Sequence, residues 1–362
     1  MTKAKKTFFF LKNFFTKNKF NIHKIAFAAL IIASVSILIF ISLYYQKSLD
    51  RINANKYEKE FEMIAKKKVL SVSEVEKYYT KIGPEKIIDI LDQDKYCHSK
   101  GHIIGKVIYE KTKDINKSIS ICNSKCTTGC IHGVINGIMG NNEYTHVTED
   151  DLKTKLISVC NDKATRKFIP FGGCIHGIGH AVTLLNNYDI DKSLEFCKQL
   201  DNGGQTYYCA TGVYMERARE FGEVDSKYDK YYPCNSKPYP SACYRYKMYS
   251  IFSNNELKNA VEFCKSINDS AERIGCFHGL GFRFYKLVES KTNSLGDVCR
   301  DGTFDENRAC IEGLIGSLSV ISKTQAENAC TGVEKNLQKS CLDAVKVSNF
   351  GMERDFHLYM TP

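Results

Sequence analysis

Residues 257–264 read Leu-Lys-Asn-Ala-Val-Glu-Phe-Cys, and residues 275–285 read Gly-Cys-Phe-His-Gly-Leu-Gly-Phe-Arg-Phe-Tyr. The first stretch is amphipathic at helical spacing and ends on a cysteine. The second opens on a cysteine and runs on through apolar and small residues. Together they read as helix A, a short loop and helix B.

This unit recurs along the chain. The B-type cysteine stands in Tyr-Cys-His-Ser-Lys-Gly at 96–101 and in Gly-Cys-Ile-His-Gly at both 129–133 and 173–177. It returns in Tyr-Cys-Ala-Thr-Gly at 208–212, Ala-Cys-Tyr-Arg-Tyr at 242–246 and Gly-Cys-Phe-His-Gly at 275–279. Ala-Cys-Ile-Glu-Gly at 309–313 and Ser-Cys-Leu-Asp-Ala at 340–344 close the series. The steps between these cysteines are 33, 44, 35, 34, 33, 34 and 31 residues, and Asn141–Asp150 reads as an inserted loop in the long one. A near-constant step of two-helix size is the signature of a repeat array.

A second cysteine precedes each of the later ones, across the A–B loop. The expected bridges are Cys122–Cys130, Cys160–Cys174, Cys197–Cys209, Cys234–Cys243, Cys264–Cys276, Cys299–Cys310 and Cys330–Cys341. Cys97 and Cys126 pair by elimination, although Cys126 lies between Cys122 and Cys130. All sixteen cysteines are then used, as suits an oxidising compartment. Three residues after the B cysteine stands Gly133, Gly177, Gly212, Gly279, Gly313 or Ala344, a spacing that shares one helical face. The expectation is that this small residue lets helix A approach closely. Tyr246 breaks the rule, and a splayed unit is expected there.

The Ala260-to-Cys264 spacing of helix A and the Gly-Cys-x-x-Gly-x-Gly of 275–281 resemble the cysteine-rich form of Sel1-like repeats, which belong with the tetratricopeptide-type solenoids. The resemblance covers about residues 85–346; the Gly-rich loop usual between Sel1-like units is missing. It implies a bridge from the end of helix A to the start of helix B, and a role as an interaction scaffold.

The chain has nine histidines, of which six lie at B-helix starts: His98, His102, His132, His176, His180 and His278. His98/His102 and His176/His180 are i,i+4 pairs, which bring two imidazoles to one helical face. With His132 they form a candidate metal set for Zn, Cu or Ni, since bridged cysteines supply no thiolate. His132 joins its neighbours only if the stack curves inward. The competing reading is a column of polar residues two after the B cysteine: His132, His176, Thr211, Arg245, His278, Glu312 and Asp343. Equivalent positions of a solenoid stack into one ridge or groove, a binding face. Tyrosines and Arg245 between Tyr228 and Tyr249 suit an interface or helix packing. No H-E-x-x-H, C-x-x-C-H, P-loop, nucleophile elbow or dinucleotide fingerprint occurs, so no catalytic residue is assigned and an enzyme is not favoured.

Residues 25–45 carry no charge, and their length at 1.5 Å per residue matches a hydrocarbon core of roughly 30 Å. Seven lysines and no acid precede them, so the positive-inside rule places residues 1–24 in the cytoplasm. No small-x-small cleavage site follows, which reads as an uncleaved signal anchor. Of the formal +10, only +3 lies beyond the anchor, where 44 basic residues face 41 acidic ones. Nucleic-acid binding is therefore not indicated.

The expected organisation is a basic tail (1–24), a transmembrane helix (25–45), a membrane-proximal charged helix (46–83), a cysteine-rich repeat domain (84–346) and a tail (347–362). The fold class is all-α: a disulfide-stapled α-solenoid of about seven to eight two-helix repeats outside the membrane. On the first functional reading it binds a protein, peptide or cell-envelope component and needs no cofactor. On the second it is a metal-binding domain or metalloenzyme built on His98, His102, His132, His176 and His180.

Overall fold

The computed structural model describes residues 19–67, 69–94, 97–123, 125–139, 149–200 and 203–346, and among these residues the secondary structure is helical throughout. Most of the expected inserted loop at 141–150, the start of the basic tail and the tail from 347 lie outside them.

Two compact units divide the chain, Met1–Met63 and Ile64–Pro362. The first is dominated by α1 (Lys19–Ala65). Its apolar part is not buried by protein, and α1 is long and apolar enough to cross a membrane. Phe27, Leu30 and Phe40 are each about two-thirds exposed or more.

The second unit opens with α2 (Val72–Ile82) and α3 (Pro84–Leu91). The stretch 46–83 is thus not one helix, as expected from its charge pattern. Ser71 starts α2 afresh, accepting from the Glu74 amide while Glu74 accepts from the Ser71 amide, a reciprocal cap. Gly83, at φ 82°, then turns the chain and Pro84 opens α3.

Then long and short helices alternate. The chain continues through α4 (Cys97–Thr112), α5 (Ile115–Cys122), α6 (Gly129–Met139), α7 (Glu149–Asn161), α8 (Lys163–Arg166) and α9 (Phe171–Leu185). Next come α10 (Ile190–Lys198), α11 (Gly203–Tyr228), α12 (Pro240–Ile251), α13 (Leu257–Lys265) and α14 (Ser270–Glu289). The series ends with α15 (Leu295–Val298), α16 (Phe304–Ile321), α17 (Lys323–Ala329) and α18 (Lys335–Lys346). Asp114, Asp189 and Asp269 cap α5, α10 and α14 by accepting from the amides of Lys117, Lys192 and Glu272.

The helices that carry the B cysteines pack in succession: α4 on α6, α6 on α9, then α11, α12, α14, α16 and α18; in α11, α14, α16 and α18 the cysteine stands about two turns inside the helix rather than at its start. Disulfides tie each to the helix or turn before it: Cys122–Cys130, Cys160–Cys174, Cys197–Cys209, Cys234–Cys243, Cys264–Cys276, Cys299–Cys310 and Cys330–Cys341. Cys97–Cys126 joins the start of α4 to the turn before α6.

The small residues three after the cysteine do not receive helix A, as their spacing suggested. They receive the preceding B helix. A Cβ at Gly133 would overlap the His102 carbonyl, and one at Gly212 would overlap the His176 carbonyl. Gly313 meets the His278 carbonyl in the same way. The unit carrying Tyr246 is not splayed from its successor. There Gly275 and Gly279 of α14 close on Ser241 and Tyr244 of α12, and Tyr246 lies buried.

Candidate metal centre

The backbone contact between α4 and α6 is reciprocal. Gly129 and Gly133 face the carbonyls of His98 and His102, while Gly101 and Gly105 face Cys130. Helices this close bring the residue beside each glycine into the same layer. His98 and His102 therefore meet His132, with ring centroids 5.3 and 5.6 Å away. On the other side α6 packs on α9, where Gly177 leaves room for the His132 ring. His132 thereby lies 5.2 Å from His176 and 5.4 Å from His180. His102 and His180 close the group at 4.8 Å. Five imidazoles from three helices occupy one place.

Their nitrogens converge as well. His98 Nε2 is 3.3 Å from His102 Nε2, and His176 Nε2 is 3.0 Å from His180 Nε2. One nitrogen from each of His98, His102, His132 and His180 falls within 4.8 Å of the others. Imidazole nitrogens bound to one ion at roughly 2.0–2.1 Å stand about 3.0–3.4 Å apart at ordinary ligand angles. The two close pairs already have that separation.

Hydrogen bonds outside the cluster fix which nitrogens carry lone pairs. The Thr211 hydroxyl donates to the Tyr208 carbonyl at 2.6 Å, so toward His176 Nδ1, 2.7 Å away, it accepts. His176 is protonated on Nδ1, and in the neutral ring its Nε2 is an acceptor. His180 Nδ1 donates to Glu216 Oε2 at 2.7 Å. The Nε2 atoms of His176 and His180 face each other across 3.0 Å, at hydrogen-bond distance. His132 Nε2 lies 3.2 Å from the Gly173 carbonyl and donates to it, and its buried Nδ1 has no hydrogen-bond partner among the described residues.

The electrostatics favour neutral, ligating rings. Burial holds His102, His132 and His176 well below the usual imidazole value, and neighbouring histidines add to the effect. Burial pulls Glu216 upward, but the His180 hydrogen bond, His180 and Arg219 outweigh it, and its carboxyl stays below the ordinary value. Glu216 is fully buried and pairs with Arg219 on its other oxygen. A carboxylate behind a ligating histidine is the usual outer support of a metal-bound imidazole. Asp92, Cys97 and Cys126 form another close group, but both cysteines are bridged and offer no thiolate.

The remaining column residues do not join the cluster. Thr211 is buried as the His176 partner. Arg245 stacks on Phe282, its guanidinium carbon 4.0 Å from the ring centroid. His278 is buried, and burial with the Arg245 charge pushes its pKa down to about 3. Glu312 and Asp343 are half-buried. Of the column read as a ridge or groove, His132, His176, Thr211 and His278 are buried where consecutive B helices meet. In the tyrosine-rich stretch Tyr239, Tyr244 and Tyr246 are buried packing, while Tyr228 and Tyr249 are exposed.

Glu216 is the residue that sequence reasoning missed. It stands seven after Cys209, two helical turns along α11, but within the charged run Glu216-Arg-Ala-Arg-Glu220, which reads as a solvated face and gave no signal of burial. Compared with family profiles, curated proteins and solved structures, the chain has no match.

Proposed function

We propose that this is a membrane-anchored, extracytoplasmic protein whose disulfide-stapled two-helix repeats form a solenoid that holds a transition metal. His98, His102, His132 and His180 are the ligands, and His176, at ligand distance from His180, is a fifth candidate. The observation that carries this reading is the convergence of the imidazole nitrogens, with His180 backed by Glu216. An all-imidazole donor set suits Zn, Cu or Ni. The lysine-rich N-terminus and sixteen cysteines without a free thiol support this orientation. The scaffold reading that comes with the Sel1-like resemblance draws less support, because most of the residues offered as its binding column are buried.

The test is metal analysis of the full chain purified in detergent under oxidising conditions. The expected result is at least one equivalent of Zn, Cu or Ni, a lower melting temperature after chelation, and loss of the metal in the double variant His102→Ala/His180→Ala. No stoichiometric metal together with unchanged melting under chelator overturns the reading.

A further inference from the structure

His102 has a second neighbour besides the cluster. A cleft of about 960 Å³ opens beside it, between the segment at Val69–Val72 and helices α4, α6, α9 and α11. That size suits a small organic ligand. Its walls are mainly apolar, formed by Leu70, Ile103, Ala181 and Leu184. Its ionic character is uneven. Lys106 and Arg219 line it with 44% and 40% of their side chains exposed, each also paired with an acid of its own helix, Glu110 and Glu216, and the buried Lys100, paired with Asp94, lines it too. Among the described residues Glu220 is the one acid in the lining. Asn136 adds a polar group whose Oδ1 is buried and has no hydrogen-bond partner among the described residues.

Apolar walls and water-facing cations beside a histidine cluster define one ligand chemistry. We propose that the cleft binds a small amphipathic carboxylate. Its hydrocarbon or aromatic body lies on Ile103 and Leu184, and its anionic end is held by Lys106 and Arg219. Desolvating the body supplies most of the affinity, at roughly 25 cal/mol per Å² of apolar surface. The basic residues supply the preference for an anion, as exposed charges contribute selectivity more than strength. Because His102 belongs to both sites, the inference extends the metal reading: the carboxylate is placed where it approaches the ion.

The probes are 4-phenylbutyrate and its neutral counterpart 4-phenylbutanol, titrated calorimetrically into the full chain in lipid nanodiscs, with and without chelator. The acid is expected to bind at least tenfold more tightly than the alcohol. Lys106→Glu is expected to remove that preference while leaving the alcohol's affinity unchanged. Leu184→Trp, which fills the cleft from a half-buried position, is expected to weaken both at least tenfold. Equal affinities for acid and alcohol, or undiminished binding by Leu184→Trp, overturn the proposal. The two readings fail separately. Acid-selective binding by a chain that takes up no metal sustains the cleft and sinks the metal centre, whereas metal uptake without acid-selective binding does the reverse.

Discussion

At the scale of single residues the site depends on a chain of donors and acceptors that begins outside it. Glu216 is buried, is charged and accepts from His180 Nδ1 at 2.7 Å, so it holds both the tautomer and the angle of the ring. Glu216→Gln keeps the shape and removes the charge. Outer-shell changes of this kind typically cost a metal roughly 10–100-fold in affinity. The expected outcome is a loss of that size in competition against a chromophoric chelator, with the helical content unchanged. An unaltered affinity would show that His180 is held by packing alone. Thr211 acts on His176 in the same sense, but through a neutral hydroxyl that is itself fixed by Tyr208. The histidines could be found in the sequence because they lie within six residues after the repeated cysteines and include two i,i+4 pairs, His98/His102 and His176/His180. Glu216 could not be assigned a partner there, because its link to His180 crosses 36 residues and two helices.

At the scale of helices, the glycines decide how near the histidine layers come. A Cβ at Gly212 would overlap the His176 carbonyl and crowd Gly179, so α9 and α11 must separate to admit it. Gly212→Ala is therefore expected to destabilise the domain by at least the ~1–3 kcal/mol typical of overpacking, and to weaken metal binding with it. Gly316, in α16, has open space where its Cβ would stand. Gly316→Ala is expected to stabilise by about 0.5–1 kcal/mol, through helix propensity alone. Thermal melts of the two variants check the contrast; equal shifts would mean that the close crossing carries no special weight. Helices and cysteine partners were legible from local pattern, since the cysteines of each pair lie close in sequence. What local pattern could not tell was which neighbour the glycine face receives. Spacing marks a face but not its occupant, and here the occupant is the previous B helix, a whole repeat away. The same limit applied to His132, which no local rule placed between the two pairs.

For the whole molecule, the question is what keeps so many short helices in order. Helices α5, α10 and α13 have 8, 9 and 9 residues, too few to persist alone in water. Each is bridged to the longer helix that follows it. Seven of the eight disulfides close sequence separations of 8–14 residues, and Cys97–Cys126 closes 29. On the chain-entropy argument each bridge contributes about 2–4 kcal/mol by restricting the unfolded chain. Eight of them together exceed the ~5–15 kcal/mol by which a typical domain is stable. The domain from Ile64 onward is therefore expected to unfold when reduced, whereas α1, which contains no cysteine, stays helical in detergent or lipid. Circular dichroism of the full chain with and without dithiothreitol at 25 °C measures this. The expected change is loss of most of the 222 nm signal and of the cooperative melt, leaving a residue that matches α1. A reduced chain that still melts cooperatively would show that packing along the B helices suffices. It would also remove the strongest physical reason for placing the domain on the oxidising side of the membrane.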